Sequence, residues 1–389
     1  MDRVQGAVTG VLAGRLRAIF RCKTLGAVHE IPSQDSQRAW VMVTEEDVIW
    51  AYRLCLNREP ENAGVIQAWI KSAGDRRDLA QGIINSDEYR AKSGTLHQSP
   101  FWHYHGAFDP VVLIEKFARR GIVPSSAHVT NFLGVKIRPT FFPGILSGQC
   151  GIVQPPPIPA NWHADISEWG SCLRALDLSG DRFVMLELGC GWGCWMNNLG
   201  VAAKSLGKQI RLYGIEADAE HAEFARQALG DNEILADEFV LVRGIAGKSA
   251  AIALFPKFEA GVNWGGSAII NPSAAQLEYA SSSGEFVQVP IIDIADLLKV
   301  ERLVDLIHVD IQGAELDLLT EVFTLLCEKV RYIFIGTHSK QIEAGLFDLF
   351  LRSGRWKIEM ERSVMFKLVD GVPVVVADGV QAWRNSQLE

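Results

Sequence analysis

Three short stretches of this 389-residue chain hold residue types at spacings that chemistry could use. In the first, Glu187-Leu188-Gly189-Cys190-Gly191-Trp192-Gly193, glycines alternate directly after an apolar run from Phe183 to Leu188. Glycines so spaced let backbone approach a ligand and adopt dihedrals that other residues avoid. A helix opening from such a turn aims unpaired N–H groups at whatever occupies it. The second stretch ends in Glu216, 23 residues after Gly193. A carboxylate there can accept hydrogen bonds from both ribose hydroxyls of a nucleoside. The plainer duty, capping the next helix, can fall to Asp218. The third is His308-Val309-Asp310-Ile311-Gln312-Gly313-Ala314-Glu315, with Asp310 closing another buried-looking run. Asp310 and Glu315 could instead simply favour a helix N-terminus.

These stretches need a scaffold that brings strand ends together. After Asn161 the sequence alternates between strand-like and helix-like segments. Strands are expected near 183–188, 210–215, 239–242, 286–290, 303–310 and 332–336, with closing strands at 356–360 and 372–377. Helices are expected at 219–229, 292–299, 314–329 and 341–353. Continuous apolar runs in the strands, rather than alternation, imply a mostly parallel sheet covered on both faces. The fold class is therefore α/β, a doubly wound sheet. Ligands of such sheets lie beyond the carboxyl ends of the strands, where strand order reverses.

The chain upstream divides differently. Residues 1–43 read as an N-terminal arm, a frayed helix or a partner-binding segment in preference to a basic amphipathic helix lying on a membrane surface. Residues 44–120 read as a small all-α module, opened by a Thr44–Asp47 capping arrangement. Arg58 and Glu59 are expected to form a local ion pair there. Residues 121–160 are rich in proline, yet Phe132, Leu133, Val135, Ile137, Phe141 and Phe142 make them too apolar for a solvated linker. They read as a connector packed on the domain 161–389. The stretch from Ala51 to Gly64, with Ile84 to Gly94, resembles a helical domain of unknown function that occurs beside glycan-modifying enzymes.

A dinucleotide fingerprint would need a sixth-position glycine, and Cys194 stands there. The E-x-G-x-G-x-G form instead resembles motif I of S-adenosylmethionine-dependent methyltransferases. With Gly214 to Asp218, and with D-x-x-G-A-E at Asp310 to Glu315, residues 160–370 resemble the FkbM family. That resemblance implies a class I methyltransferase (Rossmann-like) fold, S-adenosylmethionine as cofactor, and O-methylation of a sugar or secondary-metabolite hydroxyl. It implies that Glu187, Gly189, Gly191 and Gly193 line the methionine part and Glu216 the ribose. The sequence departs from the family at Gly336-Thr337-His338, where many members have an acid before the histidine.

Methyl transfer to an alcohol is an in-line displacement, for which positioning lowers the barrier by about 7–11 kcal/mol and a base contributes about 10²–10⁴-fold. His338 is the first candidate base and Asp310 the second, as base or as the group that orients one. His308 reads as a core histidine. Trp264, within an insertion at 257–273, reads as part of an acceptor lid, and His163 as a residue lining the site. No metal is expected: His103 and His105 could share one side of a strand, but nothing supplies a third ligand.

Composition narrows the class further. With 38 Lys and Arg against 46 Asp and Glu, the net charge of −8 argues against a general nucleic-acid surface. Seven scattered cysteines and no signal-peptide pattern suggest a reducing cytoplasm. Two competitors share the glycine turn and the acid: a glycan-associated scaffold with a degenerate methyltransferase domain, and an NAD-dependent oxidoreductase or epimerase. The second lacks a Tyr-x-x-x-Lys pair.

Overall fold

The computed structural model describes residues 43–84, 86, 88–89, 104–248, 251–259, 261 and 263–388. The N-terminal arm up to residue 42 and His103 lie outside the described residues. The chain divides into two compact units, residues 1–89 and 90–389.

In the first unit, three helices span Glu45–Leu56, Ala63–Ser72 and Arg76–Ile84. Thr44 and Asp47 form a reciprocal capping box, so two amides that a helix start leaves bare are satisfied. Asn57 ends that helix in the left-handed region, at φ 49°. Val48, Tyr52, Leu56, Ile66, Leu79 and Ile83 form its core. Arg58 pairs with Glu88 (2.6 Å) and Glu61 (2.8 Å) rather than with the Glu59 carboxylate, which Arg53 takes at 2.6 Å.

The second unit is built on eight strands, labelled in chain order. They are β1 His105–Gly106, β2 Arg182–Leu188, β3 Gln209–Glu216, β4 Phe239–Arg243, β5 Leu306–Val309, β6 Tyr332–Thr337, β7 Trp356–Arg362 and β8 Gly379–Asn385. Their spatial order is β1-β7-β8-β6-β5-β2-β3-β4. Strands β6, β5, β2, β3 and β4 run parallel, while β8 lies antiparallel to both β6 and β7. This is the class I methyltransferase arrangement. Order reverses between β2 and β5, so a crevice opens beyond Leu188 and Val309. One face is covered by helices Ile166–Leu178 and Cys194–Ser205, the other by Ile294–Val300, Glu315–Glu321, Phe323–Lys329 and Lys340–Arg352.

Several elements differ from the sequence reading. Helix Pro110–Phe117, placed above in the helical module, packs on Ile166–Leu178 through Leu113, Ile114 and Phe117, so it belongs to the second unit. Within the proline-rich stretch Val129, Leu133, Val135, Ile137 and Phe141 are at most 1 % exposed, while Val123, Ile145 and Ile152 are exposed. The expected strand at 286–290 joins a separate four-stranded sheet, Phe286–Asp293 with 245–247, 252–256 and 269–270. The helix expected at 314–329 breaks at Val322 into two. Val372–Ala377 is a strand, but it pairs with Met365–Val369 in a separate hairpin; β8 takes the closing place in the main sheet.

Candidate active site

The glycine turn leaves β2 with Gly189, Gly191 and Gly193 all in the left-handed region, at φ 76°, 53° and 71°. Glycine is demanded here on space as well as on dihedral. A Cβ on Gly189 would collide with the Asp310 carbonyl oxygen, since β2 and β5 end side by side. Gly193 is the N-cap of helix Cys194–Ser205.

Glu187 does not face the crevice. Its oxygens accept the amides of Trp195 (3.1 Å) and Met196 (2.8 Å), so it takes two donors that the first turn of the helix leaves unpaired. It is 1 % exposed, and burial pushes its pKa up to about 8 against those two amides. Glu187 and Gly193, both expected at the ligand, are absent from the lining of the cavity beyond the turn; the first accepts the helix-start amides and the second is the helix N-cap.

Glu216, at the end of β3, reaches across to the turn. Its Oε2 accepts the Gly191 N–H at 2.7 Å and its Oε1 accepts the Asp218 N–H at 2.8 Å. Burial pushes its pKa up to about 7, with those amides opposing. Asp218 caps helix Ala219–Asp231 by accepting from Glu220 and His221, as expected, which frees Glu216 from that duty.

Beyond these residues lies a cavity of about 530 Å³, lined among others by Gly189, Gly191, Glu216, Gly244, His221 and Asp310. That volume is within the range of small-molecule sites. Its roof is the segment around Trp264. The indole lies 3.3 Å from where a Gly191 Cβ would stand, and it stacks on His221 and Phe142. Three residues on, Ser267 donates to the Gln312 carbonyl at 2.8 Å, so the roof spans both strand-end turns.

On the far side of the cavity, Asp310 Oδ1 accepts from Gln312 Nε2 at 2.8 Å and lies 3.4 Å from His338 Nε2. His338 Nδ1 is 2.9 Å from Glu315 Oε1, and Asp378 is 3.9 Å from Nε2. These are ion-pair contacts rather than well-aligned hydrogen bonds. Burial lowers the His338 pKa, but the two neighbouring acids outweigh it and raise it to about 10. Asp310 moves the other way: burial raises it, and His338 with Gln312 holds it below the ordinary carboxylate value. Glu315 also accepts from Ile311 (3.2 Å) and Gly313 (2.9 Å), so it ties the turn after Asp310 to the histidine. A pKa so raised favours the imidazolium, a form that cannot accept a proton.

His163 does not reach the cavity. Its ring packs against Trp162, Trp169 and Trp195, with Nδ1 3.7 Å from Cys194 Sγ. Burial lowers its pKa to about 3, and its Nε2 is buried without a partner. His308 packs on Trp195 and Phe334, and burial lowers it to about 4. The sequence reading missed His221, whose only signal was its place one turn into the helix after Glu216. Among the described residues no group of three acids, histidines or cysteines is arranged to hold a metal.

The geometry can be set beside known proteins. No family profile matches the chain. A protein of Jannaschia sp. (strain CCS1) named "Putative methyltransferase" is 39% identical over 273 residues, covering 70% of this chain and 97% of that one. This chain belongs to that methyltransferase family. Among solved structures, the methyltransferase is similar to FkbM from Methylobacillus flagellatus KT (16% identity, 53% of this chain, 45% of that one, TM-score 0.36). It is also similar to the METTL16 MTase domain (12%, 57% and 66%, TM-score 0.32). A third is the precorrin-6y C5,15-methyltransferase of Geobacter metallireducens GS-15 (12%, 55% and 85%, TM-score 0.31). At these scores no substrate carries over to the methyltransferase. No helix among its described residues is long and apolar enough to cross a membrane.

Proposed function

We propose that the protein is an S-adenosylmethionine-dependent O-methyltransferase of the FkbM kind, acting on a hydroxyl of a carbohydrate-like or secondary-metabolite acceptor. The observation that carries this reading is the bond between Glu216 and the Gly191 amide, at the mouth of the cavity that also reaches Asp310. The residues present fit the donor. Each Glu216 oxygen keeps a second lone pair after accepting its amide, which suits ribose hydroxyls. The turn presents bare backbone at Gly189 and Gly191, and His221 Nε2 and Trp264 Nε1 are buried without partners.

When bound, S-adenosylmethionine supplies an activated methyl group. The chain binds, orients and dries the reactants. Glu216 and the glycine turn hold the donor, and the roof over Trp264 to Ser267 excludes water from both turns. Asp310 is the carboxylate placed to accept the hydroxyl proton, and His338 is a positioning residue that keeps it ionised. Positioning supplies most of the acceleration. His163 supports the turn from behind by packing beside Cys194. The acceptor is a small molecule or glycan rather than a nucleic acid, given the acidic charge, and the free cysteines suit a reducing cytoplasm.

Titration calorimetry with S-adenosylmethionine, S-adenosylhomocysteine and NAD⁺ tests the donor. Binding of both adenosyl compounds but not NAD⁺, lost in Glu216→Ala, is expected. Binding of NAD⁺ alone would move the protein to the oxidoreductases, and no binding at all would favour the scaffold. Transfer of labelled methyl to a panel of sugar, polyketide and RNA acceptors then tests the acceptor class.

A further inference from the structure

We propose that His221 and Trp264 form a recognition unit for the adenine of the methyl donor, reading its amine-bearing edge through His221 Nε2 and Trp264 Nε1. This rests on the donor reading above and assigns residues that neither the glycine turn nor Glu216 includes.

The two rings lie 4.0 Å apart and within 6° of parallel, the tightest and flattest ring pair among the described residues. Both line the cavity that holds Glu216 and Gly191. Trp264 is sandwiched: its other neighbour, Phe142, stacks at 4.6 Å and 21°. That fixes the indole on the glycine-turn side of the roof, while Ser267 goes to the Asp310 side.

The second observation is chemical. His221 is 4 % exposed, and its Nε2 and the Trp264 Nε1 are buried with no hydrogen-bond partner. Buried polar atoms in native folds nearly always find partners, so two such atoms on one stacked pair beside a cavity call for a ligand. Their polarity can be worked out. Indole N–H only donates. His221 Nδ1 lies 3.9 Å from the Asp218 carboxylate, too far for a hydrogen bond, but the negative charge on that side favours the tautomer with the proton on Nδ1 and an acceptor at Nε2. Burial keeps the ring neutral by lowering its pKa. The pair therefore offers one donor and one acceptor. A carboxylate alone only accepts and would leave Nε2 unmet. The donor's ammonium and ribose hydroxyls can also donate, but the donor reading gives the ribose to Glu216 and the methionine part to the glycine turn, which leaves the base for this pair. The adenine edge has an amine that donates beside a ring nitrogen that accepts, and satisfies both.

The test compares S-adenosylhomocysteine with S-inosylhomocysteine, whose edge has donor and acceptor exchanged. Binding is measured by calorimetry on wild type, His221→Phe, Trp264→Phe and His221→Gln. The phenylalanine variants keep an aromatic face and lose the nitrogen; glutamine restores an acceptor. We expect wild type to prefer the adenosyl compound. Each phenylalanine variant should lose about three- to tenfold in its affinity, the size of one hydrogen bond, and most of the preference, while His221→Gln keeps it. Equal loss for both compounds would make the stack structural and overturn the proposal. So would unchanged affinity, or tighter binding in Trp264→Phe, which would mark the indole as an obstacle. Failure of wild type to bind either compound is a different result: it removes the donor reading itself. A urea transition with unchanged midpoint confirms that each variant is folded.

Discussion

Glu216 Oε2 accepts the Gly191 N–H at 2.7 Å, so the acid that ends one strand holds in place the turn that ends its neighbour. Sequence motifs treat these as two separate contacts to a ligand. In the folded chain they form one unit, and the first three expectations below depend on that coupling or on its counterpart at Asp310.

Donor binding is expected to strengthen as pH rises from about 6 to 8. Burial raises the Glu216 pKa to about 7, so part of the population is protonated at neutrality. Holding two ribose hydroxyls requires the ionised form, and a group that must lose a proton to bind gives affinity rising through its pKa. Calorimetry with S-adenosylhomocysteine across this range checks it. A flat profile in wild type would mean that Glu216 binds the ligand while protonated.

Gly189→Ala should damage the site more than Gly207→Ala. Both glycines have positive φ, 76° and 75°, but only Gly189 faces an immovable backbone oxygen, that of Asp310. The left-handed conformation alone costs an alanine about 1–2 kcal/mol, and the collision adds to it by forcing β2 and β5 apart. Urea denaturation measures the stability difference. Adenosyl binding should vanish in Gly189→Ala and persist in Gly207→Ala.

His338 contributes stability with a defined pH window. Its folded pKa is raised to about 10 from an ordinary 6.5. The folded state therefore holds the proton more tightly, and the contribution is complete below about 6.5 and lost as pH rises through 10. His338→Gln should thus be destabilised most at pH 6 and approach wild type above pH 10. Removing one partner from a buried ion pair typically costs about 3–5 kcal/mol. Melting temperatures of the two proteins across pH 6–10 give the answer, and parallel curves would show that His338 is not charged. In methyl transfer, the same variant should shift the acid limb of the pH profile upward, because Asp310 loses the charge that depresses its pKa.

A fourth expectation concerns the support of this region. Arg362 Nε lies 2.7 Å from Asp165 Oδ2, both side chains about 5 % exposed or less, and Asp165 caps helix Ile166–Leu178. Arg362→Ala leaves that carboxylate buried and should cost about 3–5 kcal/mol. Arg362→Ala with Asp165→Asn should recover part of it, since of the two carboxylates that Arg362 faces, Asp165 and Glu168, the nearer is then neutral. A double-mutant cycle in urea resolves the coupling.

The positions of the parallel strands were legible because buried strands of an α/β sheet are written as apolar runs, such as Phe183 to Leu188; their order in the sheet came from the structure. The closing strand was not. Val372 to Ala377 is the more strand-like by composition, yet Val372, Val374 and Val375 are exposed on a hairpin outside the sheet. The strand that fills the place, β8, contains Gln381 and Asn385, both at most 1 % exposed. Gln381 donates to the Glu343 carbonyl and accepts from Trp383 Nε1, while Asn385 donates to the carbonyls of Cys327 and Val330. A polar side chain whose partners come from other elements looks like a surface residue in sequence. The same blindness hid the site's second tier. Nothing in Glu187 signalled a helix cap, and nothing in His221 signalled a partner 43 residues away at Trp264.

Strand β8 also sets the order of events when the chain is made. It lies between β6 and β7, which are synthesised before it and have no bonds to each other. A nascent chain extended only to about residue 378 therefore holds two finished strands with facing, unfilled edges, and such edges invite pairing with any other extended segment nearby. The domain can close that gap only when residues 379–385 leave the ribosome. A stop introduced just before Gly379 would therefore leave the β6 and β7 edges open and give an aggregating product rather than a working site.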